Sequence, residues 1–509
     1  MKQLLRISYF FWSDFIFIGM KKFLVYLFSF VLVFSLTGCK TKDELSEISL
    51  FLSNYNISLE LNDDMTASAS LTLDYINSYE TALDEIKFHL YPQFFKEGAT
   101  DCVVSRTKLN DAYPNGMSYA EFEVTRVQVE NIDSQIVYSE KYNSILNVEL
   151  NNTLLPNERI KIIIDYTFSL PNCEHRFGYG ENTINIANFY PIACVYENGE
   201  FNVSPYDSNG DPFYSELSNY NVTISANSDL IVAGTGENIS ENVSNNKKTT
   251  TFKAIAVRDF AFVLSDKFLV VNEIVDDTTI SYYYFDDENA ELNLKAGVDA
   301  IKTFSSLFGD YPYKTFSIVK TDFVYGGMEY PNLIMISADV SDPDDYKNVI
   351  VHETAHQWWY GMVGNDEFLY PWLDEALTEY SSILFYDYNE GYNFSHSQMV
   401  SACKDNYSLF ITVYEDVLGT IDTSMRAINL YDTEPEYTYC TYVKGVLMYD
   451  SLYHVVGEKK FLSSIKTYFE NNKYKNATPN DLISAFESEC NVDLNNFFSS
   501  WLDGKVTIR

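Results

Sequence analysis

Cysteine is scarce in this chain of 509 residues and histidine scarcer still, with seven of the first and six of the second. Apart from Cys39, the cysteines are Cys102, Cys173, Cys194, Cys403, Cys440 and Cys490. None forms a Cys-x-x-Cys pair, which excludes a cysteine-built metal site, and they are expected to be buried free thiols. Cations are also few. Lys and Arg number 35 against 72 Asp and Glu, a formal net charge of −37, and no basic patch stands out. Nucleic acid is therefore not expected as a partner, and the excess acid reads as solvated surface. Internal repeats and low-complexity tracts are absent. What is present is an apolar fraction of 46% and an aromatic fraction of 16%, which rule out a disordered chain. The length suits two to four domains with sizeable cores.

The N-terminus reads as a targeting segment. Lys21-Lys22 precede an apolar run from Phe23 to Leu36, fourteen residues and too short for a comfortable membrane span. The run ends in Leu36-Thr37-Gly38-Cys39, and the whole resembles a bacterial lipoprotein signal. That resemblance implies a start at Met20, with residues 1–19 upstream of it, and cleavage after residue 38. Cys39 would then be the lipidated first residue, holding the protein on the extracytoplasmic face of a bacterial membrane. An uncleaved signal anchor is the alternative.

Residues 39–48 read as a lipid-anchored polar tether. From 49 to 268 the pattern has period two: Ile57, Leu59 and Leu61 alternate with polar residues, as do Leu71, Leu73 and Tyr75. Ile160–Phe168, Tyr220–Ser225 and Leu230–Ala233 are strand-like too, with Asn, Gly and Asp clusters between the runs. After 269 the period changes. Val298, Ile301, Phe304 and Leu307 recur at helical spacing before a stop at Gly309, and Thr315–Asp322 reads as a strand. The remainder is expected to be helical, with Asn480 capping a late helix and Phe497, Phe498 and Trp501 packing the last. A β-sheet domain followed by a mixed, then helical, domain is α+β organisation.

Against so few histidines, His352-Glu353-Thr354-Ala355-His356 stands out. Residues four apart share one helix face, so both imidazoles can meet at one point with Glu353 next to them as a base. Glu375 follows after eighteen intervening residues, enough for a turn and a second antiparallel helix. Three protein ligands with an open fourth position suit one catalytic Zn2+.

Taken in order, Gly326-Gly327-Met328-Glu329, the His-Glu-x-x-His helix with Glu375, and Tyr442-Val443-Lys444-Gly445 resemble the aminopeptidase N family of gluzincin zinc metallopeptidases, which includes leukotriene hydrolases. His89-Leu90-Tyr91-Pro92 and Trp372-Leu373-Asp374-Glu375 agree with it. The resemblance covers roughly residues 50–509, and implies a thermolysin-like catalytic domain behind the β-domain. The family's C-terminal helical domain is expected to be missing. By the same resemblance His352, His356 and Glu375 hold zinc, Glu353 is the catalytic base, and Tyr442 stabilises the oxyanion. Gly326, Gly327 and Met328 line up the peptide and Glu329 grips its free amine. Glu379, one turn after Glu375, either orients a zinc-binding histidine or is an ordinary surface glutamate.

Two positions depart from the family. Tyr330 stands where an Asn is usual. Tyr190, in Asn188-Phe189-Tyr190-Pro191, stands where the β-domain's Glu or Gln would approach the substrate amine. The expected function is a lipid-anchored zinc aminopeptidase acting on peptides. An endopeptidase on the same fold and a non-catalytic peptide-binding surface lipoprotein are the alternatives.

Overall fold

Alternate burial makes the N-terminal segments strands. Ser53–Leu61 buries Tyr55, Ile57, Leu59 and Leu61, and Thr66–Ile76 buries Ala67, Ala69, Leu71, Leu73 and Tyr75, with more polar residues facing out between them. The computed structural model describes residues 41–99, 103–139, 143–418, 423–506 and 508. The expected signal sequence, Met20, Cys39 and Cys102 lie outside the described residues. Thr41–Ser49, in the stretch expected to be a tether, is a nine-residue helix. Among the described residues no helix is long and apolar enough to cross a membrane.

Phe51–Arg509 is one compact unit. Its first part is built on an eight-stranded sheet in the order Glu237–Ser244, Lys247–Val257, Ser218–Asn227, Ser53–Leu61, Thr66–Ile76, Arg159–Ser169, Glu121–Val129, Ile132–Ser134. Tyr55 lies opposite Tyr220 in the single parallel pairing of this sheet. Two four-stranded sheets and the two-stranded Tyr196–Glu197 and Glu200–Phe201 ribbon complete the β-rich part among the described residues. Phe168 against Phe177 and Phe252 against Phe262 join the large sheet to one of them. Aromatic rings bury the most area per residue, so these contacts carry much of the cohesion.

A five-stranded sheet starts at Leu269. Its order is Leu269–Val275, Thr278–Tyr284, Thr315–Thr321, Leu333–Ser337, Gly327–Met328, and the last pairs with one neighbour alone. Ala290–Leu307 crosses between the parallel strands Thr278–Tyr284 and Thr315–Thr321, burying Val298, Ile301 and Phe304. Helices Pro343–Ala355, Trp372–Tyr388, His396–Leu418 and Lys444–Val456 follow, then Glu458–Asn472, Pro479–Cys490 and Asn495–Leu502. The late helix begins differently from expectation. Pro479 takes its first position, so the cap is Thr478, in a reciprocal capping box with Asp481, and Asn480 falls inside the first turn. Phe498 and Trp501 are buried as expected, and Phe497 is half-buried. Of the described cysteines, Cys173, Cys194, Cys440 and Cys490 are buried free thiols and Cys403 is half-buried.

One buried cation joins the β-rich part to the helices. Arg258 donates through Nε to Tyr360 O (2.7 Å), through Nη1 to Ser215 O (2.9 Å) and Asn476 Oδ1, and through Nη2 to Lys475 O (2.5 Å). It is 2% exposed. Arg258→Met should cost about 3–5 kcal/mol, because removing the cation strands buried carbonyls that water cannot reach. Denaturant melts would show it. A variant as stable as the parent would mean these carbonyls find other donors.

Candidate metal and peptide site

Helix Pro343–Ala355 owes its start to Asp342, whose side chain accepts from the Asp344 and Asp345 amides, with Pro343 at the first helical position. Ile350, Val351 and Ala355 bury one side of it. The other side presents the two histidines. His352 Nε2 and His356 Nε2 are 3.2 Å apart, and Glu375 Oε2, from helix Trp372–Tyr388, is 3.4 and 3.2 Å from them. Tetrahedral zinc with bonds of about 2.0–2.1 Å requires donor separations of about 3.3–3.4 Å. The triangle has that size, so the donor set fits one Zn2+. The outer nitrogens fix both rings: His352 Nδ1 is 2.8 Å from Glu379 Oε2, and His356 Nδ1 is 2.9 Å from Trp359 O. Glu379 is thus placed to orient His352 and to hold its Nε2 free for the metal.

Tyr442 sits in a π-helical turn, Tyr439–Val443, between helix Glu434–Thr438 and helix Lys444–Val456. Gly445 follows because a Cβ there would strike Ala376, and this close crossing sets the turn over Glu375. The Tyr442 hydroxyl donates to Glu375 Oε1 at 2.5 Å, beside the metal triangle.

Glu353 is buried, and its Oε2 has no hydrogen-bond donor among the described residues. Burial pushes its carboxyl up to about 7, against the pull of the two imidazoles. Gly327 is required beside it, since a Cβ at that position would land on the Glu353 carboxylate. Gly326, Gly327 and Glu329 line a cavity of about 290 Å³ with the metal triangle, Glu353, Glu379 and Tyr442. Met328 does not: it is buried and faces away from this cavity. That corrects its expected place against the substrate, and follows from the alternation of an extended strand.

Glu329 is 4% exposed, and its Oε1 also has no donor among the described residues. Burial, with Asp211, Glu353 and Glu375 nearby, drives its pKa well above the usual carboxylate range, and only His356 pulls it down. Carboxylate oxygens of Asp211, Glu329 and Glu375 lie within 4.8 Å of one another. Asp211 comes from the β-rich part and pairs with buried Arg176, whose Nη1 is 2.5 Å from its Oδ1. No sequence pattern marked Asp211 or Arg176.

Tyr190, expected at the substrate amine, is elsewhere. It is fully buried, 2.8 Å from Asp259 Oδ1 and 3.0 Å from the Tyr220 hydroxyl, and does not line the cavity. The β-rich part's acid beside Glu329 is Asp211. Tyr330, the other departure, is buried and donates to Asn188 Oδ1 at 2.6 Å, tying the strand-edge loop to the β-rich part.

Residues 292–501 match the Peptidase family M1 domain. Similar curated proteins include aminopeptidase N of Streptomyces lividans, 26% identical over 203 residues, covering 38% of this chain and 23% of that protein. Human aminopeptidase B is 26% identical over 195 residues, covering 36% of this chain and 29% of its own. The chain thus spans about a quarter of the length of these relatives. Among solved structures, the M1 zinc metallopeptidase of Deinococcus radiodurans shares the fold with a TM-score of 0.62 at 15% identity, over 89% of this chain and 94% of that one. A mutant of that enzyme, bound to a Tyr-Ser-Ala substrate, superposes with a TM-score of 0.61 at 15% identity and the same coverage.

Proposed function

We propose that the chain is a zinc metallopeptidase of the Peptidase M1 family and that it removes N-terminal residues from peptides, a reading supported by the M1 domain match over residues 292–501 and by the aminopeptidases it resembles. The observation that carries this is the pairing of Glu329 with Asp211, within 4.8 Å of metal-ligand Glu375. A free α-amino group is one α-carbon away from the first carbonyl of a peptide. A site that holds a cation so close to its hydrolytic centre has room for one residue on that side. The unpartnered Oε1 of Glu329 is the acceptor such an ammonium would satisfy. Arg176 keeps Asp211 aimed.

His352, His356 and Glu375 would hold the zinc ion. When bound, it polarises the carbonyl and makes water acidic enough to attack at neutral pH. Glu353 takes the proton of that water and delivers it to the leaving nitrogen, a role suited to a carboxyl pushed up to about 7. Tyr442 turns its hydroxyl from Glu375 to the developing oxyanion. The edge of Gly326-Gly327 lies open for the peptide backbone to pair with. We place the enzyme on the extracytoplasmic face of a bacterial membrane, anchored through lipid on Cys39; the support is Leu36-Thr37-Gly38-Cys39 behind its basic and apolar start.

Acetylating the substrate amine should cut turnover about 10- to 100-fold or more, because a buried carboxylate then loses its charged partner. Glu329→Ala should depress free-amine substrates far more than acetylated ones, bringing the two rates together. Mass spectrometry of free and N-acetylated peptide libraries measures both. Acetylated peptides cut as fast as free ones by the parent enzyme would overturn the aminopeptidase reading and leave an endopeptidase.

A further inference from the structure

The cavity has one more carboxylate, and the chemistry above leaves it unused. Glu434, at the start of helix Glu434–Thr438, lines the cavity together with Val103, Phe323 and Tyr325. Its Oε2 accepts from Ser105 Oγ at 2.6 Å and from Thr107 Oγ1 at 3.0 Å, both on a loop of the β-rich part. Both donors go to that one oxygen. Oε1 has no protein donor, and the carboxylate has no cation partner, among the described residues. The cavity's Arg176 is already paired with Asp211. Two hydroxyls therefore fix the orientation of a charge that no cation among the described residues neutralises.

Its place relative to the peptide follows from the rest of the site. With the ammonium at Glu329 and Asp211, and the first carbonyl at the metal triangle, the α-carbon of the first residue sits between them. Its side chain must run along a wall not taken by those groups. Tyr325 forms part of that wall, lining the cavity with Arg176 and Glu434 and within electrostatic reach of both. An unbranched side chain lying over Val103, Phe323 and the Tyr325 ring would bury its methylenes there and carry its head group towards Glu434. Lysine and arginine have that form: a long apolar stem with a cation at the tip.

Resting on the aminopeptidase reading, we propose that Glu434 is a specificity-determining residue selecting peptides whose first residue is lysine or arginine. Oε1 accepts the side-chain cation in a charge-assisted hydrogen bond, while Ser105 and Thr107 hold Oε2.

Chromogenic substrates starting with lysine, norleucine, arginine and citrulline test it, since each neutral partner keeps the shape and drops the charge. The parent should favour lysine over norleucine and arginine over citrulline by about 10- to 100-fold in kcat/KM. Glu434→Gln keeps the size and hydrogen bonds but not the charge, and should bring both ratios close to one, mainly by loss of rate on the cationic pair. The double variant Ser105→Ala, Thr107→Ala keeps the charge and should keep the preference, which separates charge recognition from a merely structural tie. Equal rates for charged and neutral partners in the parent, or ratios that survive in Glu434→Gln, would overturn the proposal while leaving the aminopeptidase reading intact. Release of no first residue from any of the four, with N-acetylated peptides still cut, would defeat that reading and this proposal with it.

Discussion

Glu353→Gln should retain zinc and lose turnover by about 10²–10⁴-fold, the range a positioned general base supplies. The reasons are geometric. Glu353 touches none of the three metal-ligand contacts, so an amide in its place leaves the triangle of His352, His356 and Glu375 intact. The amide is isosteric, and it fits against Gly327 where a larger group would collide. What changes is the ability to take a proton from water and return it to the leaving amine. Metal content and kcat measured on one preparation decide the matter. A zinc-loaded Gln variant with parental turnover would remove Glu353 from the base role. A variant that loses both metal and activity would show that Glu353 helps hold the ion.

Metal removal should have a comparably large effect. Chelation should take hydrolysis below about a thousandth of the parental rate, and added zinc should restore it, because polarising the carbonyl and activating water are each worth several kcal/mol. The metal-free site has no substitute. Glu329 and Glu353 are buried beside Glu375, with His352 and His356 the only imidazoles among the lining residues. These acids repel one another when charged, and the two inward nitrogens compete for the same space. Activity titrated against zinc per chain should rise in proportion to occupancy. Full activity in a preparation stripped of metal would rule out the zinc mechanism.

How much of this could be read from the chain depends on how local each feature is. The His352–His356 pair was legible because four residues on a helix fix both rings on one face, whatever the rest does. Glu375 and Tyr442 were legible through their spacing and neighbours. Strands such as Ser53–Leu61 announced themselves by alternation. Asp211 was not legible. It lies in an irregular stretch, and only the packing of the β-rich part against the catalytic sheet brings it to Glu329. Tyr190 shows the converse error: matching residues around Asn188 suggested a place in the site, but a large aromatic among Tyr55, Tyr220 and Phe189 packs inward. Met328 fell on the wrong side for a simpler reason, since neighbours in a strand face opposite ways. Thr478 displaced Asn480 as cap because Pro479 takes the first helical position, and the cap is the residue before it.

The π-helical turn at Tyr439–Val443 has a consequence for the phase of the chain. A π turn holds one residue more than an α turn, and each residue of an α-helix advances the azimuth by about 100°. The extra residue shifts the phase relative to helix Glu434–Thr438, so that Tyr442 faces Glu375 and Gly445, three positions later on the same face, meets Ala376. Without the extra residue both would be turned together, by about 100°, away from helix Trp372–Tyr388. An insertion or deletion of one residue between Thr438 and Tyr442 therefore acts as a rotation of the Tyr442 hydroxyl about the helix axis, not as a change of loop length. A change in its count is thus as disruptive as a side chain added at Gly445, which would strike Ala376.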